Sequence, residues 1–291
     1  MGVRANGKRV FRWVGAKGHV VSRLAPFLAE QLRARKGRLV SLFYGAGLLE
    51  QEVATVAPQV AAEANPDLRA LYAELAPDPD ELFNALVDLN ARTPRSREGF
   101  YVLRAMSATT PHERAVRFLW LSAMSFNGLW RVNRVGQHNV PPDPGRLAQG
   151  WPFPTRAQIA STAARVRDVV FFSDWRSAAE LARSGDVVIS DPPYLGGFDA
   201  YTAARFSLAE HEVLAATLEC LAGKGCVVLA FNSPAAEPLY SRWAHLEWAY
   251  RSGRISCRGH ARERVSEFVA YASRSGFAAD VRSTNAEEAN E

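Results

Sequence analysis

The tetrapeptide Asp191-Pro192-Pro193-Tyr194 sets an acid on a stiff turn directly after the apolar run Asp186-Val187-Val188-Ile189-Ser190. A short apolar run bounded by turn residues predicts a buried strand. The C-terminal end of such a strand is where open α/β sheets gather ligand chemistry. Two consecutive prolines remove two backbone N–H donors and hold φ near about −65°, so the carbonyls of the turn stay free to accept hydrogen bonds. Such a turn suits an amine. Asp191 and the Pro192 carbonyl can each take one N–H of an exocyclic amino group, and Tyr194 offers its ring face to the heterocycle carrying it. Asp-Pro-Pro is also an ordinary turn sequence, and the tetrapeptide by itself leaves both readings open.

Two other places combine suitable residues with suitable spacing. Gly45 and Gly47 follow a predicted strand over 38–43 and lead into a helical stretch over 48–53. Without side chains they let a ligand approach the backbone and leave N–H groups pointing outward. A tight turn between strand and helix asks for the same glycines. Glu63 ends the next predicted strand, 56–63, where a carboxylate is placed to accept both ribose hydroxyls of a nucleoside. An acid ahead of the helix cap Asn65-Pro66 is the other reading. The six histidines show no His-x-x-x-His or Cys/His ligand spacing, so no metal is expected.

Positioning these residues requires an alternation of helices and strands. Apolar residues at near-helical spacing predict a helix over 20–35, which Gly37 ends. Buried strands are expected over 169–172, leading to Ser173-Asp174, and over 225–231, ending at Asn232. A helix over 208–221 carries Ser207 as its cap, and 241–250 and 267–271 complete the regular structure. Residues 68–155 have a different texture. Helices are predicted over 68–75, 79–90 and 115–126, with a polar, basic stretch over 92–97. Alternating runs on either side of Val135-Gly136 then predict a two-stranded ribbon.

With 48% hydrophobic residues in 291, the chain can bury the core of one large domain, or of a domain with an insertion. That composition excludes a disordered polyelectrolyte. Lys and Arg number 35 against 30 Asp and Glu, a formal charge of +5 that suits a polyanionic partner but also fits many unrelated proteins. Cys220, Cys226 and Cys257 make no Cys-x-x-Cys pair, and the odd count points to free thiols in a reducing compartment, acting as small buried apolar residues. No long apolar segment and no charged start running into an apolar stretch is read. Membrane insertion and export therefore have no support, and the cytoplasm is expected.

Several segments, taken in order, resemble the Dam-like adenine-specific DNA methyltransferases over most of residues 9–271. They are Arg12-Trp13-Val14-Gly15-Ala16-Lys17, Ser41-Leu42-Phe43-Tyr44-Gly45-Ala46-Gly47, Phe126-Asn127-Gly128-Leu129-Trp130-Arg131-Val132-Asn133 with Gly136-Gln137-His138-Asn139-Val140-Pro141, the Asp191 tetrapeptide, and Arg254-Ile255-Ser256 with Arg262-Glu263-Arg264-Val265-Ser266-Glu267. The resemblance implies an α/β fold: a Rossmann-like S-adenosylmethionine-dependent methyltransferase domain with an inserted, mainly helical DNA-recognition domain carrying a β-hairpin. Residues 1–67 and 156–275 would form the catalytic domain, 68–155 the recognition domain, and 276–291 a disordered tail.

By the same resemblance, Asp191, Pro192, Pro193 and Tyr194 are catalytic. Trp13, Lys17, Phe43, Gly45, Gly47, Glu63, Asp174 and Asp191 would hold S-adenosylmethionine, with Glu63 on the ribose and Asp174 on the adenine amine. Asp174 also reads as a helix N-cap. Lys17 would lie near the methionine carboxylate or the target base. Phe126, Asn127, Leu129, Arg131, Asn133 and Asn139 would face double-stranded DNA, with Phe126 filling the space left by an extruded base. A ribbon fits the major groove, and Arg131 can read guanine in two-pronged fashion; a solvated arginine on a hairpin is the plainer alternative. Arg251, Arg254, Arg258, Arg262 and Arg264 form a basic stretch suited to phosphates.

One departure stands out. Relatives usually carry Glu-Pro-Phe ahead of the glycines, whereas this chain has Ser41-Leu42-Phe43, so a carboxylate that would help fix the cofactor is missing, and either Ser41 or a water substitutes or affinity is reduced. The expected activity is methyl transfer to adenine N6 in duplex DNA, by a monomer, with a cognate restriction endonuclease as a partner by function only. A DNA-binding relative with weakened catalysis, and methylation of cytosine N4, RNA or a protein amide, are the alternatives.

Overall fold

The computed structural model describes residues 10–251 and 264–273. Arg254-Ile255-Ser256, Arg258, Arg262, Cys257 and the expected tail over 276–291 lie outside the described residues. The apolar runs form one sheet of seven strands: β1 (Leu39–Ser41), β2 (Gln59–Ala62), β3 (Val170–Phe172), β4 (Val187–Ser190), β5 (Val227–Asn232), β6 (Ala244–Arg251) and β7 (Arg264–Ala272), in the order β3-β2-β1-β4-β5-β7-β6. The first five pair in parallel, while β7 runs antiparallel to both β5 and β6. Strands β1, β2, β4 and β5 are buried throughout, as expected where helices cover both faces of a parallel sheet. On the edge strand β3, Val170 is exposed.

The helices are α1 (Val21–Arg35), α2 (Leu48–Glu52), α3 (Pro66–Leu75), α4 (Pro79–Arg92), α5 (Arg97–Ala105), α6 (Pro111–Met124), α7 (Pro144–Ala148), α8 (Arg156–Val166), α9 (Trp175–Glu180) and α10 (Leu208–Gly223). Their starts are written in local chemistry. Asn65 Oδ1 accepts from the N–H groups of Asp67 and Leu68 ahead of α3, and Thr110 with Glu113 and Thr155 with Gln158 close reciprocal caps on α6 and α8. Successive strand residues point to opposite faces, so the sheet builds two cores. Leu39, Val187, Ile189, Val227 and Leu229 pack with Leu24, Leu28 and Leu32 of α1, whereas Val40, Val188 and Val228 pack with residues of α9 and α10. A third cluster joins α3 to α6 and α8 with Trp13, Tyr44 and Ala61, so the helical segment shares a continuous core with the rim of the sheet.

Some expectations need correction. Helices α5, α7, α8 and α9 were not foreseen: they are short, between five and eleven residues, and a run of so few turns repeats its pattern too seldom to stand out. The ribbon is only one bridge long, between Val132 and His138, although the turn has its glycine, Gly136, at φ 80°. Cys226 is buried as expected, but Cys220 lies exposed on α10.

Candidate active site

Chain order and sheet order diverge beside β1. From β1 the chain moves outward to β2 and β3, then returns to lay β4 on the other side of β1. The loops after β1 and β4 therefore leave the sheet in opposite directions and open a crevice between their C-terminal ends. Register fixes the two loops side by side, with Ser41 opposite Ile189 and the Leu42 N–H donating to the Ile189 carbonyl at 2.9 Å. The glycine turn and the Asp-Pro-Pro-Tyr turn thus meet although 144 positions separate Gly47 from Asp191.

Asp191 does not stand alone. Lys17 Nζ lies 2.7 Å from its Oδ2, donates to the Gly15 carbonyl at 2.8 Å, and is 3.8 Å from Glu267 Oε2. The Lys17 ammonium also sits over the rings of Tyr194 and Phe231, 5.0 and 5.4 Å from their centroids. The Tyr194 hydroxyl donates to Glu267, whose other oxygen contacts His19 Nε2. Burial raises the Asp191 carboxyl above the ordinary carboxylate range, and the Lys17 cation restrains that rise. Burial also opposes ionisation of Glu267, but His19, Lys17 and Tyr194 outweigh it and hold that carboxyl below its ordinary value. Asn232 Oδ1 accepts from the Leu195 N–H at 3.1 Å, and Ser233 Oγ donates to the Leu195 carbonyl at 2.7 Å, so the end of β5 clamps the turn. The buried His211 lies against Asn232 and the Pro193 backbone.

On the β1 side, Gly45 and Gly47 have φ of 51° and 58°. A Cβ at Gly47 would fall 2.2 Å from the Tyr44 ring, and one at Gly45 would fall 3.0 Å from Trp13 Nε1. Both positions therefore require glycine in the fold itself, whatever binds there. Trp13 is buried and tilted against Tyr201, whose hydroxyl donates to the Val14 carbonyl. Glu63, one residue past β2, accepts from Gly45 N–H at 2.9 Å and Asn65 N–H at 2.7 Å, tying the glycine turn to the start of α3. Its burial pushes the carboxyl up to about 7 against those two hydrogen bonds. Phe43 lies between Trp175 and Phe206, with centroids 6.2 and 5.5 Å away. Asp174 is half exposed, accepts from the Arg176 N–H as the N-cap of α9, and pairs with the Arg176 guanidinium at 3.6 Å.

The hairpin residues sort by face. His138, Trp130, Val132 and Val140 are buried, and His138 stacks on Trp130 at 4.2 Å. Burial and nearby arginines push His138 down to about 3, so it stays neutral as it pairs with Ser125 Oγ. Arg131 stands on the other face, its Nε donating to Asn139 Oδ1 at 2.7 Å. Asn133 Oδ1 accepts from the N–H groups of Val135 and Gln137 and so folds the turn. Leu129 packs inward, whereas Phe126, expected to end an apolar helix over 115–126, lies two residues past the end of α6 and is 45% exposed. Asn127 takes a left-handed φ of 55°, and its carbonyl accepts from Arg12 at 3.4 Å. The loop beyond Tyr194 laces the hairpin to the crevice: the Ala200 carbonyl accepts from Val132 N–H at 3.0 Å, and the Tyr201 carbonyl from Asn65 Nδ2 at 2.8 Å.

Sequence reasoning placed Asp191, Tyr194, Lys17, Trp13, Phe43, Gly45, Gly47 and Glu63 around one crevice, and the structure brings them together there. It did not single out His19, Glu50, Trp175, Tyr201, Phe206 or His211, and it named Glu267 only within a run. His19, Glu50 and Trp175 stand within three residues of Lys17, Gly47 and Asp174 and could have been found as their neighbours, whereas Tyr201, Phe206, His211 and Glu267 reach the crevice only through long-range packing. Among the described residues no helix is long and apolar enough to cross a membrane, and no cluster of His, Cys, Asp or Glu could hold a metal ion.

A mainly parallel sheet whose switch point joins a glycine turn to an acid-proline-proline-tyrosine turn has the architecture of an α/β methyltransferase. The chain belongs to the D12 class N6 adenine-specific DNA methyltransferase family, whose pattern matches residues 13–252. It is 30% identical over 273 residues to a DNA adenine methylase of Salmonella typhi, covering 89% of this chain and 93% of that one. It is 29% identical over 247 residues to the Type II methyltransferase M1.LlaDCHI of Lactococcus lactis subsp. cremoris, covering 79% and 83%. A DNA N-6-adenine-methyltransferase of Escherichia phage P1 is 27% identical over 266 residues, covering 88% of this chain and 34% of the phage protein. The chain thus spans about a third of the phage relative and most of the other two. Its activity class is DNA adenine-N6 methyl transfer.

Proposed function

We propose that the chain methylates a flipped-out adenine in double-stranded DNA at the Asp191 turn, with S-adenosylmethionine held between the loops after β1, β2 and β3. The observation that carries this reading is the ion pair between the buried Lys17 and the partly exposed Asp191 at the sheet's switch point, 2.7 Å apart and directly beside the glycine turn. S-adenosylmethionine, when bound, supplies an electrophilic methyl group on a sulfonium. Glu63 would accept the ribose hydroxyls through lone pairs left over from its two backbone bonds. Phe43 and Trp175 would flank the adenine of the cofactor, Asp174 would take its amine, and Trp13 would back the glycine turn.

The amine of adenine is a weak nucleophile because its lone pair is delocalised into the ring. Asp191 and the Pro192 carbonyl would accept its two N–H bonds, direct the lone pair at the methyl and stabilise the positive charge that develops on nitrogen, a combination of orientation and electrostatic preorganisation. As the N–C bond forms the S–C bond breaks, and the excess proton on nitrogen leaves through Asp191. Stacked bases in a duplex cannot reach such a turn, so the adenine must be extruded onto Tyr194. The exposed Phe126 is suited to occupy the gap.

Residues 68–155 form the recognition domain in this reading, with 1–67 and 156–275 as the catalytic domain. Arg131 reads a base edge while Asn139 orients its guanidinium, and Asn133, Asn127 and Leu129 shape the loop that presents it. The protein acts as a cytoplasmic monomer on duplex DNA, and a companion endonuclease is a partner by function only. Labelled S-adenosylmethionine with mixed-sequence duplexes, followed by nucleoside analysis, tests the assignment. Label in N6-methyladenine supports it, while label in N4-methylcytosine or RNA alone would replace it.

Arg131→Ala is expected to lose about 1 to 3 kcal/mol of discrimination at one base pair while near-cognate methylation persists. Competing oligonucleotides, each altered at one position of the mapped site, measure this. Equal impairment on every duplex, with a salt dependence flattened by about one counterion, would make Arg131 a phosphate contact instead.

A further inference from the structure

Glu50 is a buried acid for which the chemistry above has no use. It lies on α2, three residues past Gly47, and is 5% exposed. Ser41 Oγ, at the end of β1, donates to Glu50 Oε1 at 2.8 Å, and Gln59 Nε2 donates to the Glu50 main-chain carbonyl at 2.7 Å. Ser41 is the position where the resemblance leads one to expect a carboxylate. The acid therefore reaches the same strand end from the following helix and touches the residue that lacks it.

Burial, as the leading cause, pushes Glu50 up to about 7, with Asp191 adding to the rise and Ser41 and Lys17 opposing it. The other titratable groups that feel its charge are Tyr44 and Tyr72. The cation that acts on it, Lys17, is already engaged with Asp191 and the Gly15 carbonyl. A carboxylate in this position is best matched by a cation brought in by a ligand. If the ribose lies on Glu63 and the methyl faces Asp191, the amino-acid tail of the cofactor runs toward the end of β1 and the start of α2. We propose that Glu50 binds the α-ammonium group of S-adenosylmethionine, in place of the strand-end carboxylate that Ser41 does not supply. The inference rests on the cofactor reading above.

Two product-side ligands isolate the contact. S-adenosylhomocysteine carries the ammonium, whereas 5′-methylthioadenosine keeps the adenine, ribose and thioether but has no amino-acid tail. In calorimetric titrations at about pH 8, Glu50→Gln is expected to weaken S-adenosylhomocysteine by about tenfold or more, the scale of a charge-assisted hydrogen bond, and to leave 5′-methylthioadenosine unchanged. Equal loss for both ligands, or loss for neither, would overturn the proposal.

Should Glu50→Gln fail to fold, the unaltered protein still decides the matter. Protonation of Glu50 below about pH 7 removes the anion, so affinity for S-adenosylhomocysteine should fall between about pH 8 and pH 6 more steeply than affinity for its deaminated analogue. Glu63 faces the ribose common to both ligands and so affects the two curves alike. Parallel curves would overturn the proposal. If the unaltered protein binds neither adenosyl ligand, the cofactor reading fails, and this inference falls with it.

Discussion

Asp191→Ala is expected to lower the rate of methyl transfer by about 10²- to 10³-fold or more, the usual cost of removing a preorganised partner of developing charge. Binding of duplex DNA should change little, and affinity for S-adenosylmethionine should fall far less than turnover. In the proposed reading the carboxylate acts on the amine, Glu63, Asp174 and Phe43 carry most of the cofactor, and neither the glycine turn nor the hairpin leans on Asp191. The substitution leaves Lys17 near Glu267 at 3.8 Å and bonded to the Gly15 carbonyl, so no buried cation is stranded and the fold should survive. Single-turnover assays with labelled cofactor, alongside equilibrium binding of both ligands, measure the split. Unimpaired turnover would remove Asp191 from the reaction, and with it the proposed site.

Lys17→Gln should shift the acid limb of the pH–rate profile to higher pH. Burial raises the Asp191 carboxyl and Lys17 opposes that rise, so removing the cation lifts the carboxyl further. Only the ionised carboxylate supplies the negative charge that stabilises the positive charge developing on the amine. When its pKa exceeds the assay pH, the competent fraction falls about tenfold for each unit. Turnover on the acid side of the profile should therefore fall and recover as the pH is raised, with the KM for S-adenosylmethionine nearly unchanged. A raised KM with the acid limb in place would mean that Lys17 serves the methionine carboxylate rather than Asp191.

Glu50 makes these two outcomes easier to interpret. Its charge is felt at the same end of the crevice, so its substitution is expected to lower cofactor affinity and, by relieving a repulsion on Asp191, to move the acid limb only toward lower pH, opposite to Lys17→Gln. The three acids at the ends of parallel strands or the helix beside them, Glu50, Glu63 and Asp191, all have carboxyls raised by burial. In the proposed reading each faces a different partner: an ammonium, a pair of hydroxyls and an amine.

The strand ends were legible because their signals are local. Val187 to Ile189 followed by two prolines can only end an apolar strand in a turn, and Gly45 and Gly47 can only mark a turn that a side chain would block. Glu63 was singled out by the same rule, as an acid at the end of an apolar run, and Asp174 by resemblance. Lys17 was placed near the target base or the methionine carboxylate, and its ion pair with Asp191 came into view only with the fold.

By itself, the chain's sequence determined the alternation of apolar runs and turns, hence an open sheet with its chemistry at the strand ends, along with the ordered segments that tie it to its family. Tertiary structure decided which distant residues meet. The Ser41–Glu50 contact, the Tyr194–Glu267–His19 chain and the lacing of Val132 to Ala200 depend on strand order and on the path of loops. Periodicity reports which face of an element is buried, but not which other element covers it. The same limit made a single-bridge turn look like a ribbon, since alternation marks an inward face whether or not a second strand pairs for more than one residue.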